Sequence, residues 1–140
     1  MNLTPRSTPL STDKVAWIYL RDGKVLSTRS HGKAVFYLPG GKREPGETDE
    51  VCLIREILEE LSVNLAPDTL HRLGTFEAQA HGHPPGVLVR MACYAAEPLG
   101  EPRASAEIAE WQWLSYADKQ RASEVDGLVF DWLHERGDLA

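Results

Sequence analysis

From residue 48 to residue 61 the chain takes on a 3.6-residue apolar period, directly after a stretch that cannot be helical, with Pro39-Gly40-Gly41 and Pro45-Gly46 as breakers. Thr48 is placed to cap the helix, and Asp49 and Glu50 fall in its first turn, where the helix dipole favours negative charge. Val51, Ile54, Ile57, Leu58 and Leu61 gather on one side of the predicted helix. Glu56, Glu59 and Glu60 fall on the opposite side at i, i+3 and i+4. Like charges at that spacing cost about 0.2–0.5 kcal/mol per pair, and acids in a last turn oppose the dipole. Arg55 offsets Glu59 in the weaker orientation, and no Lys or Arg lies four residues from Glu56 or Glu60. Such a patch is by itself more often a solvated helix face. A divalent cation would neutralise it, and hard oxygen ligands suit magnesium or manganese rather than zinc.

Around this helix the pattern is mostly β. Residues 15–20 read as a strand, Asp22-Gly23 as a tight turn and residues 24–28 as the return, so a hairpin is expected to open the domain. Phe36-Tyr37-Leu38 reads as a short strand stopped by Pro39-Gly40-Gly41. Residues 73–80 and 87–96 are expected as neighbouring strands joined by a loop containing Pro84 and Pro85. In residues 110–114 the alternation places Trp111 and Trp113 on one face, read as buried. From a Ser123 cap, Val125, Leu128, Val129, Trp132 and Leu133 recur at helical spacing, with Gly137 to end the element. Strands mixed with two helices predict an α/β chain, its sheet covered by helices.

At 140 residues the chain fits one domain, expected over residues 13–140 after a flexible arm at 1–12. The formal charge of −6 opposes a nucleic-acid partner. No apolar run reads as a secretory signal or a membrane span, so a cytoplasmic location and no membrane partner are expected. Cys52 and Cys93 lie far apart, outside any metal or disulfide spacing, and read as buried apolar residues.

Counting from Gly41, five residues precede Glu47 and seven more precede Arg55-Glu56; Ile57, Leu58, Glu59-Glu60, Leu61, Ser62 and Val63 follow. This resembles the Nudix box, Gly-x5-Glu-x7-Arg-Glu-U-x-Glu-Glu-x-Gly-U with U a bulky aliphatic. One fixed position differs, Ser62 standing where the family has glycine. That glycine ends the helix in a left-handed conformation, so Ser62 implies strain or a different ending. Leu38-Pro39-Gly40 ahead of the box and the surrounding strand order also resemble the MutT-like family.

The resemblance implies an α/β/α sandwich around a mixed sheet, the Nudix fold, and a metal-dependent hydrolase of a nucleoside diphosphate linked to another group. Glu56, Glu59 and Glu60 match the family's metal-binding carboxylates for Mg2+ or Mn2+. Gly40 matches a residue whose backbone carbonyl joins the metal shell, and Glu47 and Arg55 match the pair that steadies the box. A general base is also needed, from the box itself, Glu59 or Glu60, or from a later loop, where Glu107 is the candidate and Glu110 the alternative. Lys42 and Arg43 are placed to meet substrate phosphate, with Arg29 a further candidate in a substrate-lining stretch at 26–30.

Other motifs are weaker. Gly-Gly-Lys fails as a P-loop, because Phe36 and Arg43 occupy its fixed positions. His81 and His83 read as exposed rather than as zinc ligands, and Trp17, Tyr19, Phe76, Met91 and Trp113 read as core before base wall. Marks of ADP-ribose, dinucleoside-tetraphosphate and NADH hydrolases are absent. By elimination the expected activity is a house-cleaning nucleoside triphosphate pyrophosphohydrolase releasing a monophosphate and pyrophosphate. The alternatives are a hydrolase of a sugar nucleotide or dinucleotide, or a non-catalytic nucleotide sensor. A homodimer is implied by resemblance alone.

Overall fold

In the computed structural model, which describes residues 11–80 and 82–140, two sheets lie between two helices. The expected arm is outside the described residues up to residue 10, and Ser11 and Thr12 already belong to a strand. The strands are β1 (Ser11–Trp17), β2 (Leu20–Arg21), β3 (Lys24–Ser30), β4 (Gly40–Lys42), β5 (His71–Gln79), β6 (Leu88–Ala95) and β7 (Ile108–Leu114). The helices are α1 (Asp49–Leu61) and α2 (Glu124–Glu135). One sheet runs β4-β1-β6-β5, with β1 and β6 parallel and the other pairs antiparallel; the second runs β2-β3-β7. No helix among the described residues is long and apolar enough to cross a membrane.

Strand alternation splits the core into two layers. Val15 and Trp17 of β1, with Ala92 and Tyr94 of β6, face α1 and pack with Cys52, Leu53, Ile57 and Leu61. Ala16, Met91 and Cys93 point the other way, onto Val125, Val129, Phe130 and Leu133 of α2. This is the sandwich that the family resemblance implies. Leu53, Ile57 and Leu61 are fully buried, a burial worth about 1.5–3 kcal/mol per side chain. The Trp17 indole donates to Ala96 O at 3.0 Å, so its polar edge is satisfied inside this layer. Both cysteines are buried and free.

Three strand readings change. The opening hairpin exists only as Leu20–Arg21 against Lys24–Val25, around Asp22 and Gly23; β1 ends at Trp17 and belongs to the other sheet. Residues 36–38 make two isolated bridges, Tyr37 to Thr28 and Phe36 to Ala122, rather than a strand. The glycine pair expected to stop that strand instead forms β4, paired with β1. A Cβ on Gly40, at φ +150°, would lie 2.0 Å from Val15 O, so only glycine allows this approach.

The buried arc of α1 is also turned from the expected one. Val51 and Leu58 are 54% and 46% exposed, whereas Glu60, between Ile57 and Leu61, is buried at 6%. Docking against β1 and β4, not local periodicity, selects that arc. On α2, Leu128 is likewise exposed and Asp126 buried, accepting from Leu38 N at 2.7 Å. Trp111 and Trp113 do share a face, packed edge to face and half-buried against the α1 layer.

Candidate active site

Residues 40–62 form a strand, loop and helix locked by one arginine. Thr48 Oγ accepts from Val51 N at 3.2 Å and starts α1. Ser62, at φ 54° and ψ 33°, ends it in the left-handed region, its N–H donating to Leu58 O. The helix therefore keeps the ending that glycine would favour, at some conformational cost.

Arg55 donates through Nε and Nη2 to both Glu47 oxygens, at 2.6 and 2.8 Å, a two-point pair that fixes the loop to the helix. The hydrogen bond from Arg55 holds the Glu47 carboxyl down to about 2. Nη1 of Arg55 also reaches Glu56 Oε2 and Glu59 Oε1, each at 2.9 Å.

Glu60 and Glu56 lie inward. Glu60 accepts from Gly40 N at 3.3 Å and its pKa is pushed up to about 8, by burial first and then by the nearby Glu56 and Glu107 charges. Burial also raises Glu56, against the pull of Arg55. Gly41 leaves room for this carboxylate: a Cβ there would lie 2.5 Å from its Cδ.

A cavity of 330 Å³ opens beside the pair. Gly40, Lys42, Glu60 and Glu107 all line it, and so do Lys14, Tyr37 and His83. Glu47 and Arg55 stand behind as supports, while Glu59, with its side chain 55% exposed, lies further out than Glu56 and Glu60. Among the described residues, no three His, Cys, Asp or Glu side chains converge to hold an ion; Arg55 engages both Glu56 and Glu59.

Two proposed phosphate contacts lie elsewhere. Arg43 is next to Lys42 in sequence but lines a separate depression, paired with Asp49 at 2.6 Å and Asp13 at 3.5 Å. Arg29 pairs with Glu110 at 2.7 Å and donates to Lys33 O, which also engages the alternative base. Gln112 and Arg29 lower the Glu110 pKa. His81 is outside the described residues. Lys14 and Tyr37 reach the cavity without having been singled out in the sequence; the only trace of Lys14 is a cation leading into an apolar strand.

The NUDIX domain family matches residues 12–133. The chain belongs to the Nudix family. A MutT-like protein of Streptomyces ambofaciens is 30% identical over 121 residues, covering 85% of this chain and 74% of that protein. An RNA pyrophosphohydrolase of Yersinia pestis (strain Pestoides F) is 30% identical over 112 residues, 69% of this chain but only 64% of that protein's length. The solution structure of the E. coli ORF135 protein superposes with a TM-score of 0.72 at 22% identity, over 95% of this chain and 96% of that one, a likeness of fold. Membership makes this chain a Nudix hydrolase, of a class acting on pyrophosphate bonds. Gly41 to Val63 is thus its Nudix box, with Ser62 at the glycine position.

Proposed function

We propose that this chain is a divalent-metal-dependent nucleoside triphosphate pyrophosphohydrolase that opens the bond between the α and β phosphates, releasing a monophosphate and pyrophosphate. The observation that carries this reading is the buried Glu60, which accepts from Gly40 N and lines a cavity with Lys42 and Glu107, with the half-buried Glu56 beside it against Gly41.

The donor set fits a hard cation. Two adjacent carboxylates with raised pKa values favour a positive charge over desolvated negative ones, and Mg2+ is typically held by one or two carboxylates together with substrate phosphates. Gly40 O, Glu56 and Glu60 would hold the ion, with Glu59 at the rim. A bound ion withdraws charge from phosphoryl oxygens and lowers the pKa of coordinated water.

The chain's own residues supply the rest. Glu47 and Arg55 fix the box, and Lys42 orients the phosphates. Glu107 takes the proton from water as the water oxygen bonds to phosphorus and the bridging P–O bond breaks. Glu107 is favoured over Glu110, which is engaged by Arg29. The MutT-like relative supports a nucleotide substrate. The relative named RNA pyrophosphohydrolase suggests a 5′-triphosphorylated RNA end, which the charge of −6 disfavours.

The test is product analysis with magnesium on nucleoside triphosphates, sugar nucleotides, dinucleotides and a 5′-triphosphorylated oligonucleotide. Wild type is compared with Glu59→Gln, Glu60→Gln, Glu107→Gln and Glu110→Gln. Monophosphate and pyrophosphate from free triphosphates, lost in Glu60→Gln and Glu107→Gln but kept in Glu110→Gln, is the expected outcome. Metal-dependent nucleotide binding without turnover would instead make the domain a sensor.

A further inference from the structure

Lys14 and Lys42 face each other directly across β1 and β4. Residues so opposed on an antiparallel pair carry Cβ atoms about 4.5–5.5 Å apart, and like charges there destabilise the pair. Both side chains border the cavity that holds Glu60 and Glu107. Among the described residues, the one lysine ion pair within 4.0 Å is that of Lys119 with Asp131, so neither ammonium is held by a carboxylate.

Lys14 has a defined place between the two helices. Its Nζ lies 5.3 Å from the centroid of the Tyr37 ring, in the cavity wall. Its charge favours ionisation of both Glu60, from α1, and Asp126, from α2. The ammonium thus lies between acids of two helices without an ion pair to either among the described residues.

We propose that Lys14 is a second phosphate-contacting residue of this site, forming with Lys42 a two-lysine clamp that favours substrates with a free, highly charged phosphate end. The assignment rests on the nucleotide pyrophosphohydrolase reading given above. An ammonium is a compact point charge with three donors, suited to non-bridging phosphate oxygens. In a chain with a charge of −6 and a carboxylate-lined cavity, a local cationic pair is what admits a polyanion. A triphosphate carries more charge at its free end than a sugar-linked diphosphate, so the clamp discriminates by chain end as well as by affinity.

Lys14 has a competing role as a counter-charge for buried Asp126, and the test separates the two. Inorganic pyrophosphate binding is measured calorimetrically with magnesium for wild type, Lys14→Met, which keeps the apolar stem, and Lys14→Arg. Thermal melts and KM and kcat for a nucleoside triphosphate and a sugar nucleotide accompany it. The clamp predicts that Lys14→Met weakens pyrophosphate binding by about tenfold or more, as expected for a hydrogen bond to a charged group. It also predicts a matching rise in KM for the triphosphate, a smaller one for the sugar nucleotide, and partial rescue by arginine. An unchanged pyrophosphate affinity in Lys14→Met, with a lowered melting temperature, would overturn the clamp and leave Lys14 a structural counter-charge. If wild type cleaves no nucleotide, the activity reading fails separately, because pyrophosphate binding still decides the clamp.

Discussion

Replacing Glu60 by glutamine turns the most unusual electrostatic feature of the site into a stability measurement. The carboxyl is 6% exposed, accepts only from Gly40 N at 3.3 Å, and lies near Glu56 and Glu107. Moving its ionisation from 4.5 to about 8 corresponds to a penalty on the charged form of about 5 kcal/mol, at about 1.4 kcal/mol per pH unit. Below pH 4.5 the folded and unfolded chains both hold the proton. Between 4.5 and 8 the folded chain keeps a proton that the unfolded chain releases, so stability falls as pH rises, and above 8 the loss is complete. Between pH 5 and 9 about 4 kcal/mol of stability should be lost through this group, or on the order of 10 °C in melting temperature for a chain of this size. Glutamine keeps the shape and an acceptor for Gly40 N but cannot ionise. Melts followed by circular dichroism in chelator, from pH 5 to pH 9, should therefore show wild type falling much more steeply than Glu60→Gln. Asp126, with a pKa pushed up to about 6 by burial, is common to both proteins and cancels in the difference. Parallel curves would refute the idea that Glu60 is held protonated at neutral pH.

Two further predictions concern the backbone of the box. Ser62→Gly relieves a left-handed residue at a cost of losing the 3.0 Å contact with Ser105 Oγ, whereas Ser62→Ala loses the contact and keeps the strain; urea unfolding should rank glycine above alanine by about 1 kcal/mol. Gly40→Ala sets a Cβ against Val15 O and should destabilise by about 3 kcal/mol or more, while Gly41→Ala meets only the movable Glu56 side chain, so melts should show little change while turnover falls about tenfold or more.

The helices were legible where local chemistry decides: Thr48 and Ser123 are both N-caps that accept the hydrogen bonds expected of them. The partition of strands was not. A period of two says that residues 15–17 are extended, but their pairing with β6 lies some 77 residues away in register and leaves no local mark. Nor does Pro39-Gly40-Gly41 announce a strand, since glycine normally weakens one; here it is required by the approach to Val15.

The site divides in the same way. The spacing of Glu47, Arg55, Glu56, Glu59 and Glu60 identified the family because it is fixed within one loop and helix. Which box carboxylate is buried depends on how α1 docks, and the grouping of Lys14 with Lys42 depends on sheet register. Lys42 and Arg43, adjacent in sequence, turn to different depressions: Lys42 ends β4 at the cavity, while Arg43, just past the strand, is drawn to Asp49 and Asp13.

The central claim is that this cavity hydrolyses a nucleotide in a reaction that depends on a divalent ion and on Glu60. Chelator-treated protein should be titrated with magnesium while pyrophosphate release from a nucleoside triphosphate is followed, for wild type and Glu60→Gln. The account predicts no release without the ion, saturable release in wild type, and a loss on the order of 100-fold in the variant at every magnesium concentration. Equal release by both proteins, or release that persists without any divalent ion, would contradict it.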